Sequence, residues 1–444
     1  MSHYKPYLAY KDSGVEWLGQ VPEHWQVKRL RFAAMLNPPI RPDLLADLAC
    51  EVSFLPMEAI GEDGSLNLEQ NRPVQDVRNG YSYFEDGDVA FAKVTPCFEN
   101  GKGALMQGLQ YAAGFGTTEL TVMRPVQDVT DARHLSYIVQ STQFRTLGAA
   151  AMTGAGGLKR VPDEFTRNFP VAFPPRTERE LIGDHLDRET ARIDALVAKK
   201  TRFIELLREK RQALITHAVT KGLDPNVKMK DSGVEWLGEV PEHWICKKLM
   251  YWIQGYGSGT TPSKDEDYCI EGGTPWVTTG ELRESLVCET DKRVTDVALR
   301  EYSALKAHPE GSLVIAMYGA TVGRLGLLGV PAALNQACFA IHPCREISIR
   351  MLRWWFEGFR TELIELATGA GQPNISGDKI RNLLIAAPLS LEEQEQIASH
   401  IDCKTSRLDE LVRKTERSIA LLKERRSALI TAAVTGQIDL REAV

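Results

Sequence analysis

Two pairs of loops in this chain carry the side chains that could do chemistry. Glu85-Asp86-Gly87-Asp88 leads into VAFAKVTPCFENGKG, which holds Lys93 and Lys102. Pro309-Glu310-Gly311-Ser312 leads into LVIAMYGATVGRLG, which holds Arg324. Each reads as an acidic turn, a strand, then a loop with Thr, Gly and a cation. Further on, Thr153-Gly154-Ala155-Gly156 precedes Lys159-Arg160, and Thr368-Gly369-Ala370-Gly371 precedes Pro373-Asn374. Gly-rich turns let backbone N–H groups approach phosphates, although more often they are tight turns and nothing else. Small polar loops carrying Lys, Arg, Asn, Thr and Tyr are what contacts to phosphates and base edges need.

Other chemistries lack their residues. No Ser/His/Asp set, P-loop or paired-carboxylate cluster stands out, so no catalytic residue is assigned. Asn37-Pro38-Pro39-Ile40 is similar to the N-P-P-aromatic loop of amino-methyltransferases, but its fourth residue is Ile and no G-x-G turn follows a strand nearby. It reads as a loop. Gly255–Gly259 (GYGSG) has no helix after it, as a dinucleotide fingerprint requires. The 8 cysteines include no C-x-x-C pair, so no metal site is assigned. His185 repeats at His400 and Asp187 at Asp402, which suggests packing or partner contact.

The elements that position the loops are doubled. DSGVEWLGQVPEHW (12–25) returns as DSGVEWLGEVPEHW (231–244), differing only at Gln20 and Glu239. LLREKRQALITHAVT (206–220) returns as LLKERRSALITAAVT (421–435), and IGDHLDRETARIDALV (182–197) as IASHIDCKTSRLDELV (397–412). The separation is too large for a solenoid of short repeats. Each half is an arm anchored by tryptophans, a variable middle, then a long helix.

The middles, 31–173 and 251–387, read as mixed α/β. Strands are expected at Glu51–Leu55, Asp88–Val94, Leu120–Met123, Trp276–Thr279, Ser312–Tyr318 and Ala337–His342, and helices at Asp131–Leu147 and Met351–Ala367. The first long helix is expected from Thr177, boxed with Glu180, to about Val219; the second from Ser390, boxed with Glu393, to Val434. Leu186, Ile193, Leu207 and Leu214 lie on a seven-residue grid, as do Ile401, Leu408, Leu422 and Leu429. Lys200 and Thr415 fill the gap in each grid and suggest a shared register device. A rod of about 43 residues is about 65 Å long and wants a partner helix. The two rods are therefore expected to pair antiparallel, with the N-terminal arm supplying in space what the second rod lacks after its end. The fold class is α+β: two mixed α/β domains joined by two long antiparallel helices in a coiled coil, with a pseudo-twofold repeat.

A net charge of −6 argues mildly against a wholly basic nucleic-acid coat but allows local basic clefts. No apolar signal core and no long apolar run occur, so the expectation is a soluble, cytoplasmic protein with no membrane contact.

The doubled YKDSGVEWLG-x-VPEHW arm, the rods ending LITxAVT, the GATVGRLG loop and the TGAG turns resemble the specificity subunit of type I restriction–modification enzymes. The resemblance covers essentially the whole chain. It implies target-recognition domains at 1–174 (with the arm) and 226–388, and spacer helices at 175–225 and 389–444. Each domain would read one half of a split double-stranded DNA site, with the coiled coil as the ruler between them. The chain would be non-catalytic and hold no cofactor. Two methyltransferase subunits would dock near the repeats, and two motor–nuclease subunits would join the full complex. S-adenosylmethionine, ATP and Mg²⁺ would belong to those partners. Lys93, Thr95, Asn100, Lys102, Lys159 and Arg160 are the expected DNA contacts of the first domain, and Tyr318, Thr321, Arg324 and Asn374 those of the second. Trp17, Trp25, Trp236 and Trp244 are the expected docking residues. A coiled-coil adaptor that binds only proteins is the rival, and an enzyme in its own right the third reading.

Overall fold

Alternating apolar runs too short to be helices make the middles sheet-rich, and the long seven-residue grids make the rods helical. The structure, a computed structural model, describes residues 4–155, 157–367 and 373–441. It divides into two compact units, Met1–Thr201 with Arg417–Val444, and Arg202–Glu416. The division falls inside both long helices, Arg176–Lys221 and Leu391–Val434, so each unit holds half of each.

In the first unit, four strands run in the order Asn71–Pro73, Glu51–Leu55, Ala113–Gly116, Ser82–Glu85. Four more run Ala34–Leu36, Leu120–Pro125, Val89–Ala92, Gly103–Leu105. The expected helix 131–147 is two helices, Ala132–Gln140 and Thr142–Ala150. Ser141 separates them: its backbone is extended (ψ 146°) and its hydroxyl caps the second by accepting from Phe144 N. Serine competes for backbone groups in this way and so favours caps over helix interiors.

In the second unit, five strands run Tyr256–Ser258, Cys338–Ile341, Leu313–Ala316, Leu325–Leu328, Leu286–Val287. Four run Tyr268–Cys269, Lys292–Val294, Thr274–Val277, Ala333–Leu334. The helix expected at 351–367 is Ile349–Gly358 followed by Arg360–Glu365, interrupted at Phe359.

The first long helix begins a residue before Thr177, so Thr177 is not its cap; Glu180 pairs instead with Arg176, one turn back. The second begins after Ser390, whose hydroxyl accepts from Glu393 N, as expected of half a capping box. The other half is used elsewhere. Glu393 accepts from Trp244 Nε1 (3.0 Å) and meets His243 Nε2 (3.0 Å). Glu178, at the matching place in the first unit, accepts from Trp25 Nε1 (3.0 Å) and meets His24 Nε2 (2.6 Å). Each arm is thus pinned to the start of one long helix.

Each arm is also packed on the end of the other helix. Trp244, Leu237 and Val240 share a core with Ile215, Ala218 and Val219. Tyr7, Leu18, Val21 and Trp25 share one with Leu429, Ile430, Ala433 and Val434. Gly436 ends the second helix with φ +71°, and a Cβ there would lie 2.3 Å from Pro22 Cδ, so only glycine fits. The N-terminal arm therefore supplies the contact that the second rod lacks in sequence.

Within each unit the two helix halves run antiparallel. In the second unit Arg208 meets Glu416 (3.4 Å) and Arg211 meets Asp409 (3.2 Å). In the first, Arg426 meets Asp194 at 3.0 Å. Leu186, Ile193, Leu207, Ile401, Leu408 and Leu429 are buried, while Leu214 and Leu422 are half-buried. Thr415 is buried but turns its hydroxyl to Leu411 O of its own helix (2.7 Å), so it makes no cross-helix bond. Two of the cross-helix polar ties recur at matching places in the two units, the arginine–aspartate pairs Arg211–Asp409 and Arg426–Asp194. Each reaches on to its domain's own helix: Arg211 to Glu357 (2.7 Å) and Arg426 to Gln140 Oε1 (3.0 Å). A charged fork at a half-buried position has few alternative partners, and polar groups in a coiled-coil seam specify register for that reason.

Candidate nucleic-acid interface

In the first unit the strand Val89–Ala92 runs out into loop 93–102. Loop 153–161 lies beside it, knitted by backbone bonds from Thr95 N to Lys159 O (3.0 Å) and from Val161 N to Lys93 O (2.8 Å). Thr95 completes the knot: Lys159 N donates to its hydroxyl (2.9 Å), which donates to Gly157 O (3.0 Å). Lys93, Thr95, Lys159 and Arg160 are thereby brought together. Arg160 is paired through both nitrogens with Glu119 (2.5 and 2.8 Å). The Arg160 hydrogen bonds hold the Glu119 carboxyl below its usual range, and Lys93 adds to the effect. Glu119 was not singled out in sequence, where nothing distinguishes it from other strand-end acids.

Two expected contacts point elsewhere. Lys102 donates its ammonium to Met57 O (3.0 Å) and so ties the loop to its own domain. Asn100 is exposed but lines a cavity of about 200 Å³ with Arg145, Asp194 and Arg426.

The second unit repeats the frame with other side chains. Strand Leu313–Ala316 runs out into loop 317–324, and segment 373–375 lies beside it. Gly319 N donates to Pro373 O (2.9 Å) and Ile375 N to Met317 O (3.0 Å), while Tyr318 and Asn374 form a bridge. Thr321 donates to Tyr318 O (2.9 Å) and closes the turn, and Arg324 N follows onto Thr321 O. Tyr318 is exposed and Arg324 half-buried with no ion pair among the described residues. Asn374 Oδ1 is buried without a partner. Tyr318, Thr321 and Asn374 are brought together. The turn 368–371 and Gly156 lie outside the described residues.

The four tryptophans do not share a role. Trp25 and Trp244 are fully buried, with their N–H groups satisfied inside the unit, so they offer no surface to a partner. Their expected docking role is corrected: an indole is large enough to fill the gap between helix end and arm, and burial there wins. Trp17 stacks on Phe169 (4.9 Å) and is half-buried. Trp236 is 41% exposed over Trp355 and Phe359.

The repeated acids on the rods are packing groups. Asp187 accepts from Tyr137 and pairs with Arg133; Asp402 accepts from Trp354 Nε1 (2.9 Å) and pairs with Arg350. His185 meets Tyr4 OH at 2.9 Å. Asn37 is held with φ 48° by bonds to both sides of Val122, so its loop is a connection between strands. The GYGSG stretch holds an edge strand against two imidazoles. His308 Nδ1 and His342 Nε2 are 2.8 Å apart, and a Cβ at Gly255 would lie 2.4 Å from His342 Nδ1. Among the described residues, no three or more His, Cys, Asp or Glu are grouped to hold a metal, and no helix is long and apolar enough to cross a membrane.

Two α/β units that knit the same pair of loops with different side chains, on helices shared between them, define a class. Residues 253–420 match the family of the type I restriction modification DNA specificity domain. That stretch is thus a type I restriction–modification DNA specificity domain, and the chain is similar to type I specificity subunits over part of its length. It is similar to the EcoEI specificity subunit of Escherichia coli, 39% identical over 165 residues, which are 37% of this chain and 27% of that protein. It is also similar to the EcoKI specificity subunit of Escherichia coli strain K12, 22% identical over 346 residues, 75% of this chain and 70% of the relative. The chain thus spans about a quarter of the length of the EcoEI relative. Among solved structures it shares the fold of a chain from work on complex assembly and conformational transition of the type I R-M system. There the TM-score is 0.77 at 18% identity, over 94% of this chain and 99% of that one. The HsdS subunit from Thermoanaerobacter tengcongensis gives a TM-score of 0.56 at 18% identity, over 94% and 98%.

Proposed function

We propose that this chain is the DNA-specificity subunit of a type I restriction–modification complex, itself non-catalytic. Residues 1–174 and 226–388 each read one half of a bipartite double-stranded site. The helices in 175–225 and 389–444 set the spacing. Two methyltransferase subunits dock at the repeated regions, two motor–nuclease subunits complete the assembly, and S-adenosylmethionine, ATP and Mg²⁺ are theirs. The complex works in the cytoplasm.

One observation carries the reading. The same backbone bonds hold both loop pairs (Val161 N to Lys93 O, Ile375 N to Met317 O), yet Val94, Thr95, Lys159 and Arg160 on one become Tyr318, Gly319, Pro373 and Asn374 on the other. A constant frame with changed side chains fits two readers of different bases.

The test is to express the chain with its methyltransferase and map methylated adenines across a genome. A split motif with a fixed gap, absent without this chain, supports the reading. Exchanging 251–387 for the same region of a relative should change one half only. A complex that forms but marks no split motif would favour the protein-only adaptor, which the net charge of −6 leaves open.

A further inference from the structure

We propose that a cationic corner built once in each unit grips the DNA backbone in the same way beside both half-sites, whatever bases the neighbouring loops read. The inference rests on the DNA-reading function above and adds residues to it.

In the first unit the short helix Asp163–Asn168 follows directly on loop 153–161 and ends in Arg167-Asn168. Asn168 Oδ1 accepts from Arg29 Nη1 and Arg31 Nη1, both at 3.1 Å. Arg29, Arg31 and Arg167 are all exposed. In the second unit the helix Gly377–Arg381 follows on 373–375 and ends in Arg381-Asn382. Asn382 Oδ1 accepts from Lys248 Nζ at 3.0 Å. Lys248 stands where Arg29 does, four residues after the last tryptophan of its arm, and the Arg-Asn pair recurs unchanged.

Two domains that diverged to read different bases have three reasons to stay alike: scaffold, a shared protein partner, and contact with phosphates, which are the same everywhere. The asparagines explain themselves as scaffold. Each amide closes its helix by donating one turn back, to Glu164 O (3.1 Å) or Asp378 O (2.8 Å). The Arg167 guanidinium does not. Arg167 makes no ion pair among the described residues, and Arg381 lies over the exposed Tyr256 ring (4.7 Å), with Asp378 as its acid. In the first unit two arginines on a neutral amide, with Arg167 next to it in the chain, outnumber the acids Asp163 and Glu164 of the same short helix. Guanidinium forks next to a base-reading loop suit phosphate oxygens, which fix register without reading sequence.

The test uses the full chain co-purified with its methyltransferase. Binding is measured on DNA carrying the recognised site and on scrambled DNA, across a salt series. Arg167→Ala with Arg381→Ala should weaken both DNAs by the same factor. The slope of log affinity against log salt should fall by about 0.9 per contact removed, and the methylated motif should not change. Arg167→Lys with Arg381→Lys keeps the charges and should keep the slope. Unchanged slopes in the alanine pair overturn this inference alone, as does a lysine pair that loses as much slope. The exposed rings of Phe32 (58%) and Tyr251 (61%), at matching places beside these cations, make a protein partner the rival. Loss of the methyltransferase from the alanine variant, with DNA slope intact, would assign the corner to that partner instead. A wild-type complex that binds neither DNA overturns the specificity-subunit reading as well.

Discussion

Arg211→Ala should cost more stability than Arg426→Ala, although the two arginines hold matching places on the paired helices. The difference lies in what each leaves behind. Arg211 bonds Glu357, whose side chain is 12% exposed, and Asp409, which is 51% exposed. Glu357 Oε2 is already buried without a partner. Removing the guanidinium strands a carboxylate where little water reaches it. Breaking a buried charge pair costs about 3–5 kcal/mol and an exposed one about 0–1. With one partner buried and the other wet, the loss should be about 3 kcal/mol. Arg426 leaves Asp194, 40% exposed, and the neutral Gln140, so its loss should be about 1 kcal/mol. Glu357→Gln placed on Arg211→Ala should recover about 1 kcal/mol or more, because an unpaired amide is cheaper to bury than an unpaired carboxylate. Two units need not unfold together, so amide exchange across Ile349–Gly358 and Ala132–Gln140 is a better readout than one melting temperature. Equal losses for the two arginines, or no recovery with Glu357→Gln, would refute this reasoning.

Three other outcomes are expected. Glu178→Ala and Glu393→Ala each leave a buried tryptophan N–H unpaired and should cost about 1–3 kcal/mol, read as loosened exchange in the matching arm; a shift in neither arm would count against the pinning described above. Burial holds His308 down at about 4 from 6.5, and His342 is lowered too. The neutral form is the stable one, so this stability is present above about pH 6.5 and lost as pH falls through 4. The difference corresponds to about 3 kcal/mol, and a flat stability of the second unit over that window would show the imidazoles to be uncoupled from folding. Finally, Lys102→Ala should leave the salt slope of DNA binding unchanged, since its ammonium is held by Met57 O, whereas Arg324→Ala should lower it by about one; the reverse pattern would mean the loop reorganises on DNA.

The doubling was legible because it is written in the chain twice, and the long helices because a seven-residue grid survives any context. Strands at Glu51–Leu55 and Leu120–Pro125 were legible from short β-branched runs. The break at Ser141 was not, since apolar spacing continues across it and only its hydroxyl reveals the stop. The tie between Trp25 and Glu178 joins residues 153 positions apart, beyond any local pattern. Lys102 looked like a binding cation because a sequence shows charge but not direction. The arginine–aspartate register ties were hidden for the opposite reason: charges on a helix read as a solvated face, and only pairing places Arg426 against Asp194.

The N-terminal arm closes on the end of the second long helix, and this fixes an order of events during synthesis. The second unit is one continuous stretch, Arg202–Glu416, and has all its parts when residue 416 leaves the ribosome. The first unit needs Leu429, Ile430 and Val434 to cover Tyr7, Leu18 and Trp25, which were made about 400 residues earlier. At about 5–20 residues per second, those aromatic side chains wait some tens of seconds without their cover. The half of the protein translated first is therefore the half finished last. A chain clipped between 416 and 429 should keep a complete second unit and lose the cover of the first, so the damage falls on one unit and not evenly on both.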